Sequence, residues 1–206
     1  MGDSIMSLVF ENAPDGSIRF GPPKELTAAI VNQQTQTYLQ NFSVPGGAII
    51  SGPLIGAGQV PALRYLSGVF GTSRGVIITL GTNDYTVRNS VPVATFQAAY
   101  TELVRQIRQD LNRDVVCVAP LPRRDVGLTA DFFGAPLNEL NVYQLAVLSA
   151  CSAGGGVFID SNEAFSEREV GLYASDGLHL NGRGHARFAR FLIDKMVSLG
   201  FWKRIP

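Results

Sequence analysis

Apolar positions along the chain alternate between short continuous runs and longer runs with helical spacing. Residues 75–80 form a continuous apolar run of the kind that is buried on both faces of a parallel sheet. Residues 115–119 and 157–160 repeat this pattern, and a more alternating run at 38–44 predicts a fourth strand. Strands that alternate with helical segments indicate an α/β fold with right-handed crossovers.

Helical spacing predicts helices at residues 23–34, 59–69, 95–111, 137–152 and 181–199. In the third, apolar residues from Phe96 to Leu111 recur at the i, i+3, i+4, i+7 positions of one helix face. The Gly-rich stretch 46–58 is interpreted as a loop inside the domain. The chain has 206 residues, so we expect a single domain covering residues 1–206.

Composition excludes some classes of partner. Hydrophobic residues make up 46% of the chain and charged residues 17%, and the 17 basic residues balance the 17 acidic ones. A neutral chain has no overall field that attracts nucleic acid, and no apolar run approaches the roughly 18–20 residues that span a bilayer. We therefore expect no nucleic-acid partner and no integral membrane segment. The first ten residues predict no secretory signal, which leaves the choice between a cytoplasmic and an exported protein open.

The two cysteines, Cys117 and Cys151, are too few for a disulfide framework in a chain of this length. We expect two buried free thiols, with a single bridge as the alternative. Neither a complete dinucleotide fingerprint nor a Walker pattern occurs, and the two histidines lack metal-ligand spacing. No cofactor and no metal are expected.

Polar residues that follow apolar runs are candidates for chemistry, because ligands bind at the carboxyl ends of parallel strands. Asp176 precedes His179 by three residues, so its carboxylate can hold the imidazole Nδ1–H and leave Nε2 facing outward. Ser4 is a candidate nucleophile for such a base. Asn83 directly follows the clearest strand and can donate to an oxyanion, as can the backbone N–H of Gly46.

These residues fall into four blocks in a fixed order, so that the chain resembles the SGNH hydrolases, also called the GDSL esterase/lipase family. The resemblance implies a flavodoxin-like, three-layer α/β/α domain with a central parallel sheet. It also implies ester hydrolysis through an acyl-serine intermediate, without a cofactor. The blocks are Gly2-Asp3-Ser4, a glycine after the second strand, Gly81-Thr82-Asn83-Asp84 and Asp176-Gly177-Leu178-His179. Carried over by position, the catalytic residues are Ser4, Asp176 and His179, and the oxyanion hole consists of Ser4, Gly46 and Asn83.

The chain departs from the family pattern at two points. Gly52 competes with Gly46 for the oxyanion role, and we favour Gly46 because residues 41–46 look more like the family's strand-to-turn pattern. The nucleophile block of the family follows a central strand, whereas only Met1 precedes Gly2. We expect this strand to come from upstream residues, from another segment of the chain, or from a partner chain such as a second copy.

Three other residues have a simpler interpretation. Ser73 lies in a G-x-S-x-G motif, but this motif leads into a strand, whereas a nucleophile elbow follows a strand and opens a helix. We interpret Asp84 as a structural residue of a strand-end turn in which it bonds its own backbone. His185, on the last helix, is interpreted as a packing residue.

The predicted function is hydrolysis of a small-molecule or carbohydrate ester. Two loops, residues 125–136 and 165–175, are expected to border the site with Phe132, Phe133, Phe165 and Tyr173. Without a lid-sized apolar insertion, we favour short acyl groups, such as acetyl on a carbohydrate. The alternatives are a catalytically silent module that binds a carbohydrate or a partner, an unrelated flavodoxin-like ligand-binding domain, and a lipase or thioesterase for longer acyl chains.

Overall fold

The structure is a computed structural model, and it describes most of the chain. The described residues are 9–12, 18–21, 26–39, 43, 47–50, 54–55, 74–84, 91–122, 137–165, 171–175 and 177–206. The strands are β1 (Val9–Asn12), β2 (Ile18–Gly21), β3 (Gly47–Ala48), β4 (Leu54–Ile55), β5 (Gly75–Ile78), β6 (Asp114–Val118) and β7 (Val157–Ile159). The helices are α1 (Leu26–Gln34), α2 (Val93–Asp110), α3 (Leu137–Ala153) and α4 (Gly182–Ser198), with a 3-10 turn at Ser161–Glu163.

Strands β5, β6 and β7 form a parallel sheet in that order. Val76 of β5 lies opposite Val115 of β6, and Cys117 of β6 lies opposite Phe158 of β7. The central strand β6 is buried from Val115 to Val118. A strand covered on both faces needs a continuous apolar run, which explains why the pattern of this segment predicts it well.

Helices cover both faces of this sheet. Val115 and Cys117 of β6 share a hydrophobic cluster with side chains of α2 and α3. Val116 of β6 points to the opposite face and shares a second cluster with Val31 of α1 and Phe188 of α4. Successive residues of a strand face opposite sides, so the two clusters are the two cores of an α/β/α sandwich. The predicted three-layer α/β fold is confirmed.

Three predicted helices occur within two residues of their expected bounds, and these are α2, α3 and α4. Helix α4 begins at Gly182 because the side chain of Asn181 accepts hydrogen bonds from the N–H groups of Arg183 and Gly184. Helix α1 lies within the helix predicted at 23–34, whereas residues 23–25 and the helix predicted at 59–69 lie outside the described residues. Within the described part of the chain, no helix combines the length and the apolar character needed to cross a membrane.

The strand predicted at residues 38–44 is wrong for the part that the structure describes. Tyr38, Leu39 and Ser43 belong to no strand. At Leu39 the side chain of Asn32 bonds both the backbone N–H and the carbonyl. These local bonds replace the ladder that a sheet would supply. Strand β3 follows instead, paired in parallel with β4, so residues 46–58 are not simply a loop.

A hairpin near the amino end was not predicted from the sequence. Strands β1 and β2 pair antiparallel, with Phe10 opposite Phe20. The intervening sequence contains Pro14-Asp15-Gly16, which is a strong turn signal between two β-rich runs. An antiparallel hairpin does not fit the alternation of parallel strands and helices that the rest of the sequence predicts.

The expectation of two free thiols is wrong, because Cys117 and Cys151 form a disulfide. Both residues are fully buried, and their Cα atoms lie 6.1 Å apart. Cys117 lies on the face of β6 that α3 covers, and Cys151 lies on α3. The bridge therefore ties the central strand to one of its covering helices.

We predict that this disulfide stabilises the fold. Cys117 and Cys151 are separated by 34 residues, and closing a loop of that length removes chain entropy worth about 3–4 kcal/mol from the unfolded state. The double variant Cys117→Ala/Cys151→Ala should lose about that much free energy of unfolding in a urea titration, and reduction of the wild type should lower its stability similarly. Thiol titration of the unreduced, denatured protein is the control, and two reactive thiols there would contradict the bridge.

Candidate active site

The structure describes two of the predicted site residues, Asn83 and His179. Four others, namely Ser4, Gly46, Gly52 and Asp176, lie outside the described residues. Their roles therefore stay predictions, and the site is built here from the segments that carry Asn83 and His179.

Asn83 lies on a sharp turn that follows β5. The turn begins at Gly81, whose φ of +128° lies in a region that L side chains rarely adopt. A Cβ at this position would approach the Pro120 side chain to 3.0 Å and the Phe96 ring to 3.2 Å. Glycine is needed here for both its backbone freedom and its small size, and it fixes the direction in which Asn83 leaves the strand.

Asn83 and Asp84 bind a segment more than thirty residues away in sequence. The Asn83 side-chain amide donates to the Gly47 carbonyl at 2.9 Å. The Asp84 carboxylate accepts from the N–H of Ile49, at 3.0 and 2.9 Å to its two oxygens, and from the N–H of Ile50 at 2.9 Å. Asp84 is thus structural, as expected, but these bonds join its carboxylate to the backbone of a distant segment and not to its own turn.

The bond to Gly47 orients the Asn83 side chain. An amide NH₂ group carries two hydrogens, and the Gly47 carbonyl accepts one of them. The predicted oxyanion role requires the second hydrogen, whose direction follows once the first is held. Side chains that donate to a developing oxyanion act well only if they are oriented before the reaction begins.

His179 lies on a tight loop that enters α4. Tyr173 and Leu180 form an antiparallel bridge across this loop, and the N–H of Ala174 donates to the His179 carbonyl at 2.8 Å. Gly177, with φ of +66°, closes the turn by donating to the Ala174 carbonyl. His179 itself is 7% exposed. The described residues of this loop are 171–175 and 177–180, and the predicted contact of Asp176 with His179 stays a prediction.

Asn181 anchors the His179 loop, a role that sequence reasoning missed. Its side-chain amide donates to the carbonyls of Gly171 and Tyr173, while its oxygen caps α4. An asparagine directly before a helix is a recognisable N-cap signal. The pattern did not reveal that the same side chain also holds the loop that carries His179.

The Asn83 turn and the His179 loop lie at the same edge of the sheet. Tyr173, which pairs with Leu180, donates its hydroxyl to the Pro122 carbonyl at 2.6 Å, just beyond the end of β6. Thr82, in the other turn, lines a small pocket with Pro120. Both segments therefore meet the carboxyl end of β6, which is where parallel sheets bind ligands.

The chain also matches a known protein family. The model of the GDSL-like Lipase/Acylhydrolase family matches residues 1–187. The chain belongs to this family. The resemblance expected from the four sequence blocks is confirmed, and the chain is a carboxylic ester hydrolase by class.

Solved structures agree with this GDSL assignment. Est24, a carbohydrate acetylesterase from Sinorhizobium meliloti, is 18% identical with a TM-score of 0.75, and 97% of each chain is covered. The aryl esterase of M. smegmatis is 17% identical with a TM-score of 0.76, again over 97% of each chain. A lipase/acylhydrolase from Enterococcus faecalis is 17% identical with a TM-score of 0.68, over 100% of this chain and 96% of the other. At these identities the likeness establishes the fold. No curated protein matches the chain.

Two aromatic residues that were expected to border the substrate belong to the core of this GDSL chain instead. Phe165 and Tyr173 are each 2% exposed, and their rings pack edge to face with centroids 6.2 Å apart. Phe165 also packs against Phe188 of α4. Both rings belong to the second hydrophobic cluster, together with Phe188. Phe132 and Phe133, the other two expected aromatics, lie outside the described residues.

The simpler interpretations of other residues are consistent with the GDSL fold. His185 is buried in α4, and its Nδ1 hydrogen-bonds the Thr27 hydroxyl of α1 at 3.0 Å, so it is a packing residue. Gly75, the last residue of the G-x-S-x-G motif, opens β5, so the motif leads into a strand as expected, and Ser73 itself lies outside the described residues. Among the described residues, no group of three His, Cys, Asp or Glu side chains could hold a metal ion.

We predict that Gly81→Ala damages both stability and ester hydrolysis. A positive φ costs an L-residue about 1–2 kcal/mol, and the contacts with Pro120 and Phe96 add to that cost while displacing Asn83. Gly200→Ala is the matched control, because Gly200 also has a positive φ but would place its Cβ in open space. Thermal unfolding and kcat should separate the two variants. A Gly81→Ala variant with the kcat of Gly200→Ala would contradict the role assigned to this turn.

Proposed function

We propose that this chain hydrolyses short-acyl esters, such as O-acetyl groups of carbohydrates, through a covalent acyl-serine intermediate. The proposal is carried by one observation, which is that the Asn83 turn and the His179 loop meet at the carboxyl edge of the parallel sheet. Ser4, Asp176 and Gly46 enter from their positions in the family's motifs. Asn83 and His179 are the two members whose surroundings support the assignment directly.

In the first half of the proposed reaction, His179 is the general base. Its Nε2 takes the proton of the Ser4 hydroxyl while Oγ attacks the ester carbonyl carbon. Asp176 accepts a hydrogen bond from Nδ1–H, which selects the correct tautomer and stabilises the imidazolium that forms. His179 is buried in a loop held by backbone hydrogen bonds, which limits the orientations open to its imidazole.

The carbonyl oxygen becomes an oxyanion in the tetrahedral intermediate. The N–H groups of Ser4 and Gly46 and the side-chain amide of Asn83 stabilise it, with Gly52 as the alternative to Gly46. The intermediate collapses when the alcohol leaves with the proton from His179. Water then repeats the sequence on the acyl-enzyme, and the carboxylic acid leaves as Ser4 regains its proton.

The preference for short acyl groups rests on what the described residues offer. Phe165 and Tyr173 are buried in the core, so neither ring supplies an exposed apolar wall for a long chain. A carbohydrate acetylesterase and an aryl esterase are among the structurally similar proteins. The similar lipase/acylhydrolase makes hydrolysis of longer chains the alternative to test.

We expect hydrolysis of p-nitrophenyl acetate to depend on Ser4. Ser4→Ala should lower kcat by about 10⁴-fold or more, since the nucleophile is lost. Ser73→Ala is the matched control and should retain wild-type kcat, because its motif lies at the wrong end of β5. A wild type without activity would instead favour the silent binding module. Undiminished hydrolysis by Ser4→Ala would remove Ser4 from the mechanism.

Acyl length can be tested with a series of p-nitrophenyl esters from acetate to palmitate. We expect kcat/KM to be highest for acetate and to fall steadily beyond butyrate, because Phe165 and Tyr173 are buried and supply no exposed apolar wall for a longer chain. Release of acetate from an acetylated oligosaccharide, measured by chromatography, tests the carbohydrate preference separately. A maximum of kcat/KM at eight or more carbons would replace the short-acyl proposal with the lipase alternative.

A further inference from the structure

Asp84 is a fully buried carboxylate, with 0% of its surface exposed. Burial of a charge in a protein interior is costly unless hydrogen bonds compensate it. Here the compensation comes from the N–H groups of Ile49 and Ile50, two consecutive backbone donors that converge on one Asp84 oxygen, Oδ1, while the Ile49 N–H also reaches Oδ2. The arrangement requires a carboxylate, whose two oxygens both accept hydrogen bonds. An asparagine at this position would place its NH₂ group, which is a donor, opposite one of the backbone N–H donors.

Asp84 and its neighbour Asn83 form hydrogen bonds with the two ends of the same short segment. Asn83 donates to the carbonyl of Gly47, at the start of the segment. Asp84 accepts from the N–H groups of Ile49 and Ile50, at its end. We call residues 47–50 the clamped segment. Bonds of opposite polarity at its two ends fix both its position and its direction.

The clamped segment lies between the two glycines that compete for the oxyanion role. Gly46 precedes it directly, and Gly52 follows two residues after Ile50. Whichever glycine supplies the backbone N–H, the clamped segment connects that N–H to the turn that carries Asn83. The clamped segment, which Asp84 binds, is therefore the stretch of chain that lies next to both candidate glycines in sequence.

We propose that Asp84 is a positioning residue for ester hydrolysis, which holds the clamped segment against the Asn83 turn so that the adjoining glycine N–H and the Asn83 amide face one oxyanion. The proposal rests on the proposed function and adds a residue to it. Asp84 acts through the backbone and touches no substrate. A displacement of about 1 Å in such a site can cost about 10²-fold in rate, so the effect of Asp84 falls on kcat.

The surroundings of Asp84 strengthen these bonds. Tyr100 of α2 lies nearby with a fully buried hydroxyl, and burial together with the negative charge of Asp84 raises the pKa of Tyr100 above its usual range. Hydrogen bonds in such a dry environment are stronger than in water, and they hold the donors more rigidly. Tyr100→Phe alters this environment and removes no hydrogen bond that Asp84 makes to Ile49 or Ile50.

The test compares Asp84→Asn and Asp84→Glu with the wild type, using p-nitrophenyl acetate. A serine-directed phosphonate first titrates the reactive sites, so that kcat is expressed per active molecule. We expect kcat per titrated site to fall about 10–100-fold with KM nearly unchanged, because donors that serve only the transition state are misplaced. Asp114→Asn, which removes an exposed carboxylate paired with Arg108, is the matched control and should keep the wild-type kcat.

A double-mutant cycle separates positioning from general stability. Asn83→Ala alone should lower kcat about 10²–10³-fold. If Asp84 acts by aligning the loop with Asn83, adding Asp84→Asn to Asn83→Ala should cost less than about 3-fold further, since the aligned pair is already lost. Independent losses that multiply would assign Asp84 to stability and overturn the proposal.

Three further outcomes would contradict either the positioning role of Asp84 or the proposed function. Wild-type kcat per titrated site in both Asp84 variants, with fewer titratable sites, would overturn the positioning role while leaving the proposed function intact. Hydrolysis that survives Ser4→Ala would instead overturn the proposed function itself. If neither Asp84 variant acquires the near-ultraviolet circular dichroism of the folded wild type, the carboxylate is a folding requirement and the proposal fails.

Discussion

The buried carboxylate of Asp84 and the backbone N–H groups of Ile49 and Ile50 form the interaction that organises this end of the molecule. Strand β5 is held in the sheet by β6, so the turn after β5 has a fixed position. The hydrogen bonds of Asp84 hold the distant segment around β3 against this turn. A second hydrogen bond, from the Asn83 side chain to the Gly47 carbonyl, ties the same clamped segment to this turn.

Much of the fold could be predicted because buried strands and helices show simple patterns of apolar residues. Strand β6 is covered on both faces and is therefore apolar throughout, and α2 faces one core and shows a clear helical period. The segment around Leu39 could not be predicted, since its backbone is satisfied by Asn32, a polar side chain of the preceding helix. The disulfide depended on two residues brought together only by the packing of α3 on β6.

The candidate site could be predicted in part. Asn83 and His179 stood out because each follows a recognisable local signal, a strand end or a short Asp-to-His spacing. The partners of Asp84 lie more than thirty residues earlier, and no local pattern indicates such a contact. Phe165 and Tyr173 were misjudged since an aromatic residue in a loop gives no sign of which way it faces. Residues 1–8 lie outside the described residues, so the strand expected before Gly2 stays a prediction.

The central claim is that the Ser4 hydroxyl, the His179 imidazole and the Asn83 amide converge on one reacting carbon. A crystal structure of the protein after reaction with a p-nitrophenyl phosphonate tests this most directly, because phosphorus then occupies the place of that carbon. We predict a bond from phosphorus to Ser4 Oγ, with the phosphoryl oxygen within about 3 Å of the Asn83 Nδ2. A phosphonate attached to Ser73, or a phosphoryl oxygen directed away from Asn83, would contradict it.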